Sequence, residues 1–144
     1  MGFVLIKFGT GGWRAVIGSD FTEANIRLVA RGLYSYAKEC NKLDKDIVIG
    51  YDNRFLSNIA AEWFANELSK CGINILLLDG SVPTPLVMHM VQDNELFYGA
   101  AITASHNPLE YNGIKLFVEE GRDAPIEFTN HLENIIESLE TAEW

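Results

Sequence analysis

Basic residues are scarce in this chain: 11 Lys and Arg stand against 20 Asp and Glu, a formal net charge of −9. That balance argues against nucleic acid or an anionic membrane as a general electrostatic partner. Any anionic ligand must meet a local cluster of cations, which makes Lys7, Arg14, Arg54, His106 and Lys115 the positions to follow. Cysteine is nearly absent as well. Cys40 and Cys71 belong to no C-x-x-C, so neither a disulfide framework nor a zinc knuckle is indicated. No apolar run approaches the ~18 residues of a membrane span, and the opening MGFVLIKFGT lacks the long apolar core and small-residue cleavage site of a secretory signal. The expectation is a soluble, cytoplasmic protein. Repeats, low-complexity tracts and Pro/Ser-rich linkers are missing too, so residues 1–144 read as one domain.

What is present is a good core composition, 48% hydrophobic over 144 residues. A domain of this length buries roughly 68% of the surface its unfolded chain exposes, enough to fold without metal or disulfide. Thr22 offers an N-cap, and Ile26, Val29, Ala30, Leu33 and Ala37 follow at helical spacing, predicting a helix to about Glu39. Ile47–Tyr51 is a β-branched run short enough for a buried strand. Ser57 is placed to cap a second helix with Ile59, Ala60, Trp63, Phe64 and Leu68 on its apolar face, and Gly72 stands where a left-handed C-cap belongs. A strand over Ile73–Leu78 follows, and then a short helix with Thr84 as N-cap and Pro85 at its first position. Leu96–Thr103 and Ile114–Val118 read as strands, and a last helix begins at Pro125 with Phe128, Leu132, Ile135, Ile136 and Leu139 as its stripe.

Helices alternating with short apolar strands predict a three-layer α/β/α sandwich on a mostly parallel mixed sheet of about four strands. Because no helix separates Thr103 from Ile114, the strand Ile114–Val118 is expected to pair antiparallel at the sheet edge.

Ligands of open α/β sheets bind beyond the carboxyl ends of strands, so loops that follow strands hold the candidates. Thr103–Lys115 sets Ser105, His106 and Asn107 directly after a strand, with Pro108 stiffening the turn. Its composition also fits an ordinary surface turn. A serine hydrolase reading is weak, because no G-x-S-x-G elbow surrounds Ser105 and adjacent side chains rarely point together. A loop of this kind is suited to carry a covalently attached phosphoryl group, its oxygens neutralised by Lys115. In Lys7–Ala15, glycine-rich backbone is a candidate anion nest and Arg14 a bidentate phosphate fork, an N-terminal turn being the alternative. Trp13 is expected to pack. Asp52 and Arg54 in GYDNR read as a local ion pair anchoring a turn, and neither the Asp44/Asp46 turn nor His89 or His131 suggests a metal or catalytic site.

With FGTGGWR at 8–14, GYDNR at 50–54, PTP at 83–85, and TASHNP followed by NGIK at 103–115, nearly the whole chain resembles the N-terminal domain of the α-D-phosphohexomutase superfamily. The resemblance implies phosphoglucomutase or phosphomannomutase chemistry. A phosphoserine, here Ser105, gives its phosphoryl group to a hexose phosphate, and the resulting sugar bisphosphate reorients and returns its other phosphate. By the same resemblance Arg14 and Lys115 line the reaction centre. His106 moves protons or positions the phosphoserine, and Thr10, Gly11, Arg14 and Asn107 are expected to hold phosphate. The family's Mg²⁺ bridges the phosphoserine and three aspartates of a DGDGDR-type motif, which this sequence lacks. Family members carry that motif, the sugar-selecting residues and a phosphate-binding loop in three further domains. The chain is thus expected to be one domain of a longer protein, inactive alone and partnered by the remaining domains. Gly11-Gly12-Trp13 departs from the Ser-Gly and smaller aliphatic of many members, which removes a hydroxyl at position 11 and points to a bacterial phosphoglucomutase-like or phosphomannomutase-like subgroup. The alternatives are a non-catalytic phosphosugar-binding module and a phosphoglucosamine mutase within the same family.

Overall fold

A computed structural model describes residues 6–9, 12–94, 96 and 98–141. Among them the chain runs β1 (Phe8–Gly9), β2 (Gly12–Val16), α1 (Glu23–Glu39), β3 (Ile47–Tyr51), α2 (Ser57–Lys70), β4 (Ile75–Leu77), α3 (Thr84–Asp93), β5 (Tyr98–Ile102), β6 (Tyr111–Val118), β7 (Arg122–Asp123) and α4 (Ile126–Thr141). The described strands form one sheet in the order β1-β2-β6-β5-β3-β4, with β7 also on β6. The parallel part is β4-β3-β5, joined through α2 and α3. Strand β4 lies on one side of β3 and β5 on the other. Right-handed crossovers therefore put α2 and α3 on opposite faces of the sheet, which produces the three layers.

Strand alternation sorts the core. Ile47 and Ile49 of β3, Tyr98, Ala100 and Ile102 of β5, and Ile114 and Leu116 of β6 join α1, α2 and α4 in the larger cluster. Val48, Ala101 and Phe117 point the other way, to Val87 and Val91 of α3. Helix α1 starts where expected, with the Thr22 hydroxyl accepting from the Asn25 N–H at 3.3 Å. It packs on α2 partly through Glu67, 6% exposed, which accepts from Arg27 at 3.1 Å and Arg31 at 2.7 Å.

Several details of the expected architecture are corrected. The stretch Lys7–Ala15 contains an antiparallel hairpin, β1 with β2, whose period of two (Trp13 and Ala15 buried, Arg14 and Val16 outward) is masked by its glycines. Since β2 pairs along β6 from Val16↔Tyr111 to Trp13↔Ile114, β6 is antiparallel as anticipated but lies inside the sheet. The α/β fold on a mixed sheet is as expected, but the sheet has seven described strands rather than about four, and its β6 half is antiparallel. Ser57 does not cap α2: Leu56 occupies the cap with φ 74, and the Ser57 hydroxyl is used elsewhere. Ile59 is 42% exposed, so the buried stripe of α2 is Ala60, Ala61, Phe64, Ala65 and Leu68. Thr84 is the first residue of α3, with Pro83 at the cap and Pro85 next, a one-residue shift that proline's fixed φ tolerates. Gly72, at φ 94, follows α2 in the left-handed conformation expected of it.

Candidate functional site

The register of β3 and β5, with Tyr51 opposite Ile102, releases two loops side by side at the carboxyl edge of the parallel strands. One carries Asp52–Arg54 and the other Thr103–Asn107. The second is a tight turn: Asn107 N–H donates to the Ala104 carbonyl at 2.9 Å, and Ser105 N–H to the Thr103 hydroxyl at 3.0 Å. Ser105 sits in it at φ 50, the left-handed region that a non-glycine residue enters at a cost of order 1–3 kcal/mol.

Several hydrogen bonds hold that conformation. The Arg54 guanidinium donates from Nη2 to the carbonyls of Ser105 at 2.8 Å and Asn107 at 2.6 Å. From Nη1 it donates to Pro108 at 2.9 Å and Tyr111 at 3.1 Å. Asp52 Oδ1 in turn accepts from the Arg54 N–H at 3.0 Å and the Ser57 hydroxyl at 2.7 Å. The expected Asp52–Arg54 ion pair is long, 3.8 Å, and the guanidinium is chiefly engaged with the serine loop. Asn112, fully buried on β6, donates to the Ser57 hydroxyl at 2.9 Å and the Phe55 carbonyl at 3.1 Å, and accepts from Gly113 N–H at 2.8 Å. Nothing in the local pattern around Ser57 and Asn112 marked them, since their partners are distant in sequence. The sequence places Asn112 in the loop ahead of Ile114, within NGIK, and assigns it no partner.

Two cations on the neighbouring antiparallel strands line the same cavity as the serine. Arg14 on β2 is opposite Gly113, and Lys115 is two residues further along β6, so both occupy one sheet face while Trp13 and Ile114 enter the core. The close approach requires glycine. A Cβ at Gly113 would run into the carbonyl oxygens of Trp13 and Thr103, and one at Gly12, φ 99, into that of Ile114. The Asn107 side-chain oxygen accepts from Arg14 Nη1 at 2.9 Å, and Lys115 Nζ lies 3.3 Å from Asp123 of β7.

Arg14, Ser105, His106 and Lys115 line one cavity of about 520 Å³ together with Gly12, Asp123 and Thr129. Asn107 is not in its wall; it holds Arg14 from behind. Thr10 and Gly11 lie outside the described residues. An exposed hydroxyl beside a guanidinium, an ammonium and an imidazole suits an anionic group of phosphate size, covalently attached or bound. Among the described residues no three His, Cys, Asp or Glu side chains gather as a metal site, and no helix is long and apolar enough to cross a membrane.

Known proteins align with this arrangement. A family profile described as "Phosphoglucomutase/phosphomannomutase, alpha/beta/alpha domain I" matches residues 5–143. A phosphoglucomutase of Staphylococcus saprophyticus is 36% identical over 140 residues, covering 95% of this chain and 25% of its own length. A phosphoglucosamine mutase of Alkaliphilus oremlandii is 35% identical over 130 residues, covering 90% and 28%. Among solved structures, a Thermus thermophilus protein provisionally named a phosphomannomutase superposes with a TM-score of 0.88 at 34% identity, covering 92% and 30%. The chain thus spans between 25% and 30% of the length of these relatives.

Proposed function

The chain belongs to the phosphoglucomutase/phosphomannomutase family, as its α/β/α domain I, and from that membership we propose that it is the phosphoserine-donor domain of a hexose phosphate mutase. The observation that carries the reading is the strained, exposed Ser105 in one cavity with Arg14, His106 and Lys115. In the proposed reaction the Ser105 Oγ–P bond breaks as a hydroxyl oxygen of a hexose monophosphate bonds to phosphorus. The hydroxyl proton passes to a nearby base, the role proposed for His106, and the departing serine oxygen takes up a proton from it to become the free Ser105 hydroxyl. The same chemistry run in reverse on the other phosphate of the bisphosphate regenerates the phosphoserine. Phosphoryl transfer demands positioning and charge neutralisation above all. Arg14 contributes a planar fork and Lys115 a compact charge for the phosphoryl oxygens.

Mg²⁺, when bound, would neutralise charge on the phosphoryl group. The described residues do not form its cage, and the carboxylate lining the cavity, Asp123, is paired with Lys115. The fit here extends to a phosphoryl oxygen on Ser105, with carboxylates supplied from outside this chain by the remaining domains. The 144-residue chain alone is accordingly expected to show no mutase turnover. Glucose or mannose phosphate is the proposed substrate. Relatives named phosphoglucosamine mutase favour glucosamine phosphate as the second reading.

The test is phosphopeptide mapping of the full chain after incubation with a hexose bisphosphate and Mg²⁺. A single phosphate on the peptide holding Ser105, absent in Ser105→Ala together with turnover, is the expected result. Phosphate-free Ser105 in a turning-over enzyme would exclude the donor role, and tight hexose phosphate binding without any turnover would favour a non-catalytic binding module.

A further inference from the structure

We propose that Arg54 is a positioning residue for Ser105: its guanidinium clamps the serine loop in the left-handed form that presents the hydroxyl to the cavity. The inference deepens the donor reading and rests on it for its kinetic consequence, though its structural part stands independently. Arg54 does not line the cavity, so it acts on the reaction only through the loop. Its four donated bonds end on main-chain carbonyls at positions 105, 107, 108 and 111, bracketing the turn from both sides. Main-chain acceptors bind whatever side chains the loop carries, so the clamp sets backbone conformation and leaves the chemistry to Ser105 and His106.

The clamp is itself anchored. Asp52 accepts from the Arg54 amide and from Ser57, and Ser57 accepts from the buried Asn112 at 2.9 Å. The relay therefore ties the ends of β3 and β6 and the start of α2 to the serine turn. Leu56, the other non-glycine left-handed residue of this region, lies two positions beyond Arg54 at φ 74. Lysine cannot replace the Arg54 guanidinium, because an ammonium has no rigid fork to span two pairs of carbonyls.

The test compares wild type, Arg54→Lys, Arg54→Ala and Ser105→Ala in the full chain. Hydrogen exchange of the peptide spanning 103–112 is expected to accelerate in both Arg54 variants while α1 and α4 peptides stay unchanged. Unaltered exchange in 103–112 overturns the proposal, as does acceleration spread evenly over the whole domain. In turnover, displacing the loop by ~1 Å is expected to lower kcat about a hundredfold with KM nearly unchanged. Added guanidinium ion is expected to restore part of the rate of Arg54→Ala and none of Ser105→Ala. An undiminished kcat in both Arg54 variants overturns the kinetic part. Should wild type itself lack turnover, the donor reading fails, and the exchange result alone decides whether Arg54 is the clamp. Arg54→Lys keeps the charge and the stem, so it serves if Arg54→Ala does not fold.

Discussion

Replacing Asn112 by alanine removes a fully buried amide that makes three hydrogen bonds, at 2.8, 2.9 and 3.1 Å. Each such bond contributes about 1 kcal/mol net, so the loss is about 3 kcal/mol before any cavity is counted. The entropy of unfolding is about 2.1 cal/mol/K per residue, or roughly 0.3 kcal/mol/K for a chain this long, which converts the loss to a fall in Tm of roughly 10 °C. Thermal melts followed by tryptophan fluorescence read this directly, because Trp13 packs in the core against Phe21 at a ring separation of 5.4 Å. A companion variant, Ser57→Ala, breaks the bonds to Asp52 and to Asn112, and the second of these is shared. The double variant is therefore expected to cost about 1 kcal/mol less than the sum of the singles, within the range for residues in contact. A Tm shift below about 3 °C for Asn112→Ala, or full additivity in the cycle, would refute the relay from β6 to α2.

Other expectations concern acid stability and strand packing. Burial pulls the Glu67 carboxyl upward, but hydrogen bonds from Arg31 and Arg27, with the charges of Arg31 and Lys70, outweigh it and hold the carboxyl below its usual value. A depressed carboxyl stabilises the fold above the ordinary glutamate pKa and loses that contribution as pH falls through the folded value. Urea unfolding of Glu67→Gln is thus expected to show lower stability at neutral pH and a flatter acid limb than wild type; identical acid limbs would count against the pair of arginines as its cause. Gly113→Ala forces a methyl against two main-chain oxygens that cannot rotate away. It is expected to destabilise by about 1–3 kcal/mol or more, and a native-like melting curve would show that β2 and β6 are further apart than described.

How much was legible in the sequence depended on whether a residue's neighbours were local. Helix α1 was readable from Thr22 to Glu39 because its cap and its stripe are both properties of consecutive residues. Strand β3 was readable because burial on both faces leaves an unbroken apolar run, and the placement of Ser105 and His106 because they follow a strand; Lys115, expected one residue into the next strand, lies midway along β6. Strand β2 was hidden, since glycines that permit close approach to β6 also look like a loop. The role of Arg54 was half visible. Its nearness to Asp52 suggested a local pair, whereas the carbonyls it binds lie 51 to 57 residues away and carry no side-chain signature. Ser57 misled for the same reason: a serine before a helix suggests a cap, and its partner Asn112 is 55 residues distant.

The pairing of β2 with β6 also sets the order in which the molecule can be assembled. Ser105, His106 and Lys115 arrive together on the β5–β6 hairpin, a short-range closure, but Arg14 contacts this loop across 93 residues. Closing so long a span costs entropy before any contact offsets it, and such contacts slow folding. During synthesis the β1–β2 hairpin can close early, but the other edge of β2 waits unpaired until β6 has been made. Arg14 is consequently seated late in folding, so a chain stalled before β6 lacks the cavity that brings Arg14 together with Ser105 and Lys115.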